Sequence, residues 1–207
     1  TTFCKTLYEK YGIKKIVVGK GFRFGKNRTG DTRFLTEYFG KNNVLIVAKK
    51  KLIGIEVSSS MIREHLSNGE IDTVNKLLGR PYCLEGKVIK GDGLGHKLGF
   101  PTANLKINNN YRIPKKGVYI VKLKIESLSN IYSGMMNIGN KPTVSNEEII
   151  NTEVNIFDFN ENIYNSILVV DIISFIREEV KFNNLEELKH QLHIDKETSI
   201  KKLNSLH

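Results

Sequence analysis

Two short apolar runs near the start of the chain, residues 15–18 and 44–48, are built almost wholly from Ile, Val, Leu and Ala. Runs of that length and composition predict parallel strands buried on both faces. A glycine-rich basic loop, Gly19 to Asp31, lies between them. Ser58, Ser59 and Ser60 then supply N-cap candidates for a helix, and an Asn68-Gly69 turn separates it from a second helix over Glu70–Leu78. Ile71, Val74, Leu77 and Leu78 share one face of that second helix, with Gly79 at the expected C′ position. This stretch reads as an α/β unit over residues 1–80. Gly79-Arg80-Pro81 marks its end, because proline stops the helix and Pro81-Tyr82 begins an extended segment.

Beyond Pro81 the period changes to two. Tyr119, Val121, Leu123 and Ile125 fall on one face of a strand, with Lys122 and Lys124 opposite. Cys83–Ile89, Ile131–Ile138, Glu153–Phe157 and Ile167–Phe175 are further strand candidates. Several short strands punctuated by turn signals predict a sandwich or a small closed barrel over residues 81–207. From Leu185 the spacing turns helical, with Leu185, Leu188 and Leu192 on one stripe that continues through Ile200 and Leu203. That stripe predicts a packing helix with no part in chemistry.

At 207 residues, 40% hydrophobic and 26% charged, the composition is that of a soluble globular protein. No apolar run approaches the ~20 residues of a membrane span, so no membrane partner is expected. The opening TTFCKTLYEKYG is neither a signal peptide nor an initiation site and reads as a cut end. Cys4 and Cys83 are far apart in sequence and fit reduced thiols of a cytoplasmic protein. The net charge of +10 invites a nucleic-acid reading, but the lysines are scattered and no aromatic–basic platform accompanies them. Attraction of small phosphates is the more modest consequence, and no nucleic-acid partner is expected.

Chemistry concentrates in Gly91–Leu105, GDGLGHKLGFPTANL. Gly91, Gly93, Gly95 and Gly99 can present bare N–H groups to an anion, with His96 and Lys97 interleaved. Thr102 and Asn104, two residues apart on a stiffened extended segment, point the same way and offer two neutral oxygens to one hard cation. That pairing is what a Mg2+–nucleotide site needs, although an ordinary Gly/Asn surface turn has the same composition. The run matches neither the P-loop nor the dinucleotide-binding glycine motif. Ser58 and Ser59 at a helix start, with Arg63 a turn later, suit a phosphate or simply cap a structural helix.

Gly91–Leu105 resembles the signature of riboflavin kinases, a glycine loop followed by G-F-P-T-A-N. More of that family's pattern follows in order: Pro114-x-x-Gly117-Val118-Tyr119, then Asn137-Ile138-Gly139-Asn140-Lys141-Pro142-Thr143, where the family usually reads N-I-G-x-R-P-T. Glu153–Phe159, Tyr164 and Ile176–Phe182 complete it. Residues 1–80 are similar to the adenylyltransferase half of the bifunctional bacterial riboflavin kinase/FMN adenylyltransferase. There the family's loop reads G-x-D-F-x-F-G, with Gly21 here in the Asp position, and the later motif I-S-S-T-x-I-R aligns with Val57–Arg63. The family's H-x-G-H turn has no counterpart, since the histidines are 65, 96, 190, 193 and 207.

The resemblance implies an N-terminally truncated, Rossmann-like nucleotidyltransferase remnant (1–80) and a six-stranded Greek-key barrel with C-terminal helices outside it (81–207). It implies transfer of the ATP γ-phosphoryl group to the riboflavin 5′-hydroxyl, with Mg2+ as cofactor and Zn2+ as the second candidate. A full-length protein would also adenylylate FMN to FAD. By position, Thr102 and Asn104 would hold the metal and phosphates, and Gly91, His96 and Lys97 the loop over them. Tyr164 would lie near the nucleotide, and Arg177 and Phe182 against the flavin. Ser58, Ser59 and Arg63 would bind phosphate in the adenylyltransferase half. Glu153 is the candidate base, since carboxylates are ionised at neutral pH and accept hydroxyl protons. It shares one side of its strand with Asn155 and Phe157, a mixed face; without the motif an exposed strand glutamate is the better reading. A non-catalytic flavin- or nucleotide-binding module and a basic RNA-binding barrel are the alternative readings.

Overall fold

The computed structural model describes residues 2–206 apart from 53, 92 and 142–148. Two compact units divide the chain, Thr1–Val57 and Ser58–His207.

In the first unit, α1 (Thr2–Lys5) runs into a π-helical turn and is followed by β1 (Ile16–Gly19), α2 (Thr32–Phe39) and β2 (Val44–Val47). β1 and β2 are parallel, with Ile16 opposite Val44. A small hairpin follows, β3 (Lys51–Leu52) and β4 (Ile55–Glu56). Asp31 caps α2 by accepting from the Phe34 N–H at 3.0 Å, and that bond holds its carboxyl below the usual range. Leu35 and Phe39, one turn apart on α2, bury against Cys4, Phe24 and Val44. The two apolar runs are therefore strands, but burial on both faces is not found. Val17 is 67% and Leu45 61% exposed, because helices cover one side of this two-stranded sheet.

The second unit begins with α3 (Ser59–Asn68), where Ser58 Oγ accepts from the Met61 N–H, and α4 (Ile71–Leu78). Gly69 and Gly79 end these helices in the left-handed region, at φ 79° and 74°. Six strands follow: β5 (Tyr82–Ile89), β6 (Ala103–Ile107), β7 (Gly117–Ile125), β8 (Ile131–Lys141), β9 (Ile149–Ile156) and β10 (Ile167–Arg177). A four-residue helical turn, α5 (Leu94–Lys97), joins β5 to β6, and α6 (Leu185–Asn204) closes the chain. The strands form a closed antiparallel barrel in the order β10-β5-β6-β9-β8-β7. β6 lies beside β9 although two strands intervene in sequence, which is the Greek-key step. β6 itself is a strand that the sequence pattern did not single out.

Tyr119, Val121, Leu123 and Ile125 point into the barrel with Leu84, Val88, Val154 and Leu168. The Tyr119 hydroxyl donates to the Lys115 carbonyl, and burial pushes its pKa up. Phe100, Val118, Ile120, Met135 and Phe157 form a second cluster with Leu203 and Leu192 of α6 on the barrel's outer wall.

The compact division falls after Val57 and not at the expected 80/81 boundary. Leu66, Ile71 and Val74, on α3 and α4, belong to the same buried cluster as the barrel interior. Asn75 Nδ2 donates to the carbonyls of Ile172 (2.9 Å) and Ile173 (3.2 Å), where β10 shifts register against β7. Its Oδ1 accepts from the Tyr82 N–H at 2.7 Å. One side chain thus satisfies main-chain groups that the shifted ladder leaves over. The C-terminal helices reduce to one helix among the described residues, and its stripe also departs from expectation. Leu203 is buried, but Leu185 and Ile200 are exposed, and Asp195 and Ser199 are buried instead.

Candidate active site

Strand register assembles the site. Asn104 on β6 pairs with Glu153 on β9, Glu153 with Asn137 on β8, Asn137 with Val118 on β7, and Val118 with Arg177 on β10. Residues directly opposite in neighbouring strands share a face. This lateral row of five therefore lies along the outer wall, and all five line one cavity of about 350 Å3. Phe100, Met135, Val180, Phe182, Leu188 and Leu192 give that cavity apolar walls, with Asn155 and Glu179 adding polar groups. A second cavity of about 320 Å3 is lined by Val88, Ala103, Val154, Ile156, Phe159, Ile163 and Tyr164 at its apolar part, with His96, Thr102 and Asn160 among its polar groups. Thr102 borders both cavities.

The hydrogen bonds converge on Glu153. Thr102 Oγ1 donates to its Oε2 at 3.1 Å, and Asn151 Nδ2 donates to its Oε1 at 2.7 Å. A hydroxyl whose proton is directed at a carboxylate keeps its lone pairs free for a cation. Beside it, Asn104 supplies a neutral carbonyl oxygen. Hard, neutral oxygens next to a single carboxylate suit Mg2+, which takes most of its ligands from phosphates and water, better than Zn2+, which prefers nitrogen and sulfur. Among the described residues no cluster of three or more His, Cys, Asp or Glu could hold a metal by itself.

Glycine is required where the loop seats on these groups. A Cβ on Gly91 would stand 2.0 Å from Asn104 Nδ2, and one on Gly95 would stand 2.4 Å from the Phe100 carbonyl oxygen and 3.1 Å from Thr102 Oγ1. Main chain therefore packs directly on the Thr102 and Asn104 side chains. His96 is exposed and lines the smaller cavity, and Lys97 ends α5.

Arg177 lies at the far end of the row with most of its guanidinium already engaged. Nε donates to both oxygens of Asp195 at 3.0 and 3.1 Å, Nη2 to Oδ2 at 2.7 Å, and Nη1 to the Glu178 carbonyl at 2.9 Å. Its Cζ sits 5.9 Å from the centroid of the Phe182 ring. Ser58, Ser59 and Arg63 line neither cavity: Ser58 is spent on the α3 cap, and Arg63 Nη2 donates to Ser60 Oγ at 3.2 Å. Pro142 and Thr143 lie outside the described residues.

Sequence reasoning missed Asn151 and gave no role to Asn137 and Glu179, although both lie within the quoted motifs. Asn137 Nδ2 donates to Glu179 Oε1 at 3.3 Å, and the Glu179 carboxylate lies close over Gly139, where a Cβ would stand 2.0 Å from that oxygen and push it aside. Reading the i−2 neighbour of Glu153 would have found Asn151. Leu188 and Leu192 on α6 are cavity walls, so that helix does more than pack.

Residues 78–203 match the family model for riboflavin kinase, and residues 1–61 match that for FAD synthetase. The bifunctional riboflavin kinase/FMN adenylyltransferase of Bacillus subtilis is 38% identical over 197 residues, 94% of this chain and 62% of the relative. That of Haemophilus influenzae is 36% identical over 198 residues, 94% and 63% respectively. A crystal structure from Streptococcus pneumoniae described as a macrolide-efflux protein superposes with TM-score 0.76 at 33% identity, covering 87% of this chain and 58% of that one. No helix among the described residues is long and apolar enough to cross a membrane. The chain spans about three fifths of the length of the curated relatives it matches. Barrel topology and family match together place the chain in a family of phosphotransferases. More narrowly, the chain belongs to the riboflavin kinase family.

Proposed function

We propose that this chain phosphorylates the 5′-hydroxyl of riboflavin with ATP to give FMN and ADP. The observation that carries the reading is Thr102, which borders both cavities and donates its hydroxyl proton to Glu153. The smaller cavity suits a nucleotide, its apolar part taking the base beside Tyr164 and its polar end the phosphates near Thr102 and His96. The larger suits a flat aromatic molecule with a polyol tail, ringed by Phe182, Leu188 and Leu192 and edged by Arg177. A hydroxyl delivered toward Thr102 then lies within reach of Glu153, which accepts its proton as the bond to the γ-phosphorus forms. Mg2+, held by Thr102 Oγ1 and Asn104 Oδ1, would supply charge neutralisation on the phosphates. The loop of Gly91, His96 and Lys97 adds N–H donors over them.

Chromatography of the flavin products after incubation with riboflavin, ATP and Mg2+ tests this. Folded protein that yields no FMN at any Mg2+ or Zn2+ level would return the chain to a non-catalytic binding module. Asn104→Ala should raise the Mg2+ concentration needed for half-maximal rate about tenfold while leaving riboflavin KM within about threefold, since one ligand oxygen is lost and the base kept. A Mg2+ titration that overlays the wild type would remove Asn104 from the metal site.

Residues 1–61, which match the FAD synthetase model, belong on this reading to an FMN adenylyltransferase half. The free thiols of Cys4 and Cys83 fit a cytoplasmic enzyme. This 207-residue chain should nonetheless form no FAD from FMN and ATP. Adenylyl transfer needs preorganised donors at the α-phosphoryl group and the leaving pyrophosphate, and no histidine occurs before His65 to supply an H-x-G-H turn. Catalytic FAD formation, followed by its absorbance and retention time, would overturn that expectation.

A further inference from the structure

The β6–β9 ladder stops one residue short of the chemistry. Its register pairs end with Ala103 opposite Val154, so Pro101 and Thr102 have no main-chain partner on β9. The next residue on β9 is Asn155, 6% exposed, and its side chain takes over where the ladder ends. Asn155 Nδ2 donates to the Pro101 carbonyl at 2.7 Å. That carbonyl belongs to the peptide linking Pro101 to Thr102, and Thr102 Oγ1 donates in turn to Glu153 Oε2 at 3.1 Å. A continuous line of bonds thus runs from Asn155 through one peptide to the residue shared by both cavities, and on to the candidate base. The Asn155 backbone is held in the β8–β9 ladder opposite Met135, with Gly134 close against its carbonyl oxygen.

We propose that Asn155 is a positioning residue for phosphoryl transfer, fixing Thr102 against Glu153 without touching the reacting atoms. The proposal rests on the kinase reading above. A buried carboxamide on a rigid strand is a stiffer support than the glycine loop preceding Pro101, and small misplacement of a reacting group is costly. A shift near 1 Å is worth about 10²-fold in rate.

The test compares wild type, Asn155→Leu and Asn155→His. Wild type is assayed first, and absence of FMN there would sink the kinase reading rather than this one. Asn155→Leu keeps the branching, adds some bulk and removes the donor. It should lower kcat by about 10- to 100-fold with riboflavin KM within about threefold. The Mg2+-dependent tightening of ADP binding, read by calorimetry without turnover, should shrink alongside. Asn155→His, whose ring N–H can donate to the same carbonyl, should recover most of both. Should Asn155→Leu fail to fold, Asn155→Asp, matched in size and lacking the amide donor, takes its place in the same measurements. Three results would overturn the proposal: near-wild-type kcat without the donor, a loss confined to riboflavin KM, or a histidine variant no better than leucine.

Discussion

Glu153→Gln is expected to leave the barrel intact, bind both substrates and lower kcat for riboflavin phosphorylation by about 10²–10⁴-fold, the usual cost of losing a general base. The geometry explains why fold and activity separate. Glutamine has the same shape, and its carbonyl can still accept from Asn151 Nδ2, now 2.7 Å from Glu153 Oε1. Its amide can face Thr102, whose hydroxyl accepts as readily as it donates. No cavity opens and no buried group is stranded, so the melting temperature should move by only a degree or two. Proton acceptance is removed, and with it the carboxylate that directs the Thr102 proton. Steady-state kinetics together with calorimetric binding of riboflavin and ADP check the expectation. Near-wild-type kcat would transfer the proton to a phosphate oxygen or to water.

Arg177→Met should instead act first on stability. Asp195 is 1% exposed and holds its charge against the Arg177 guanidinium, with Gln191 Nε2 at 2.9 Å as a further donor. Removing the cation leaves a buried carboxylate with one neutral side-chain donor, a loss of about 3–5 kcal/mol. That is a sizeable share of the roughly 5–15 kcal/mol that holds a typical domain together. Because Asp195 sits on α6, the helix that also presents Leu188 and Leu192 to the larger cavity, riboflavin KM should rise as the helix loosens. Arg177→Met with Asp195→Leu should regain most of the stability, since no charge is then stranded. Denaturant unfolding of the three proteins measures this, and a single-variant loss below about 1 kcal/mol would mean that solvent and Gln191 suffice for Asp195.

The barrel was legible in the chain because its strands alternate cleanly. Tyr119, Val121, Leu123 and Ile125 are all interior, and Lys122 and Lys124 are not. Less legible were features that depend on what packs where. The run Val44–Val47 looked buried on both faces, yet apolar composition cannot say how many strands and helices arrive to cover a sheet. Proline at position 81 ends a helix convincingly, but a local stop signal carries no information about Asn75 reaching β10 some 97 residues away. In the site, Thr102, Asn104 and Glu153 could be named from motif and spacing. Asn137 and Glu179 lie within the quoted motifs but received no role, because only the folded register sets one beside Glu153 and brings the other over Gly139. Asp195 was hidden for a related reason: a single aspartate on a leucine-striped helix carries no mark of its burial until its partner is known.

The outer row that lines the larger cavity has a consequence for folding fidelity. Along β9, Glu153 and Asn155 face out while Thr152, Val154 and Ile156 face in, so a slip of one residue against β8 would exchange the two sets. Such a molecule would carry a carboxylate inside its core and valine where the candidate base belongs. A one-residue slip at this seam would therefore both destabilise the barrel and displace Glu153. On the proposed kinase reading, turnover per mole of protein would report the correctly zipped barrels in a sample, which spectroscopic strand content does not.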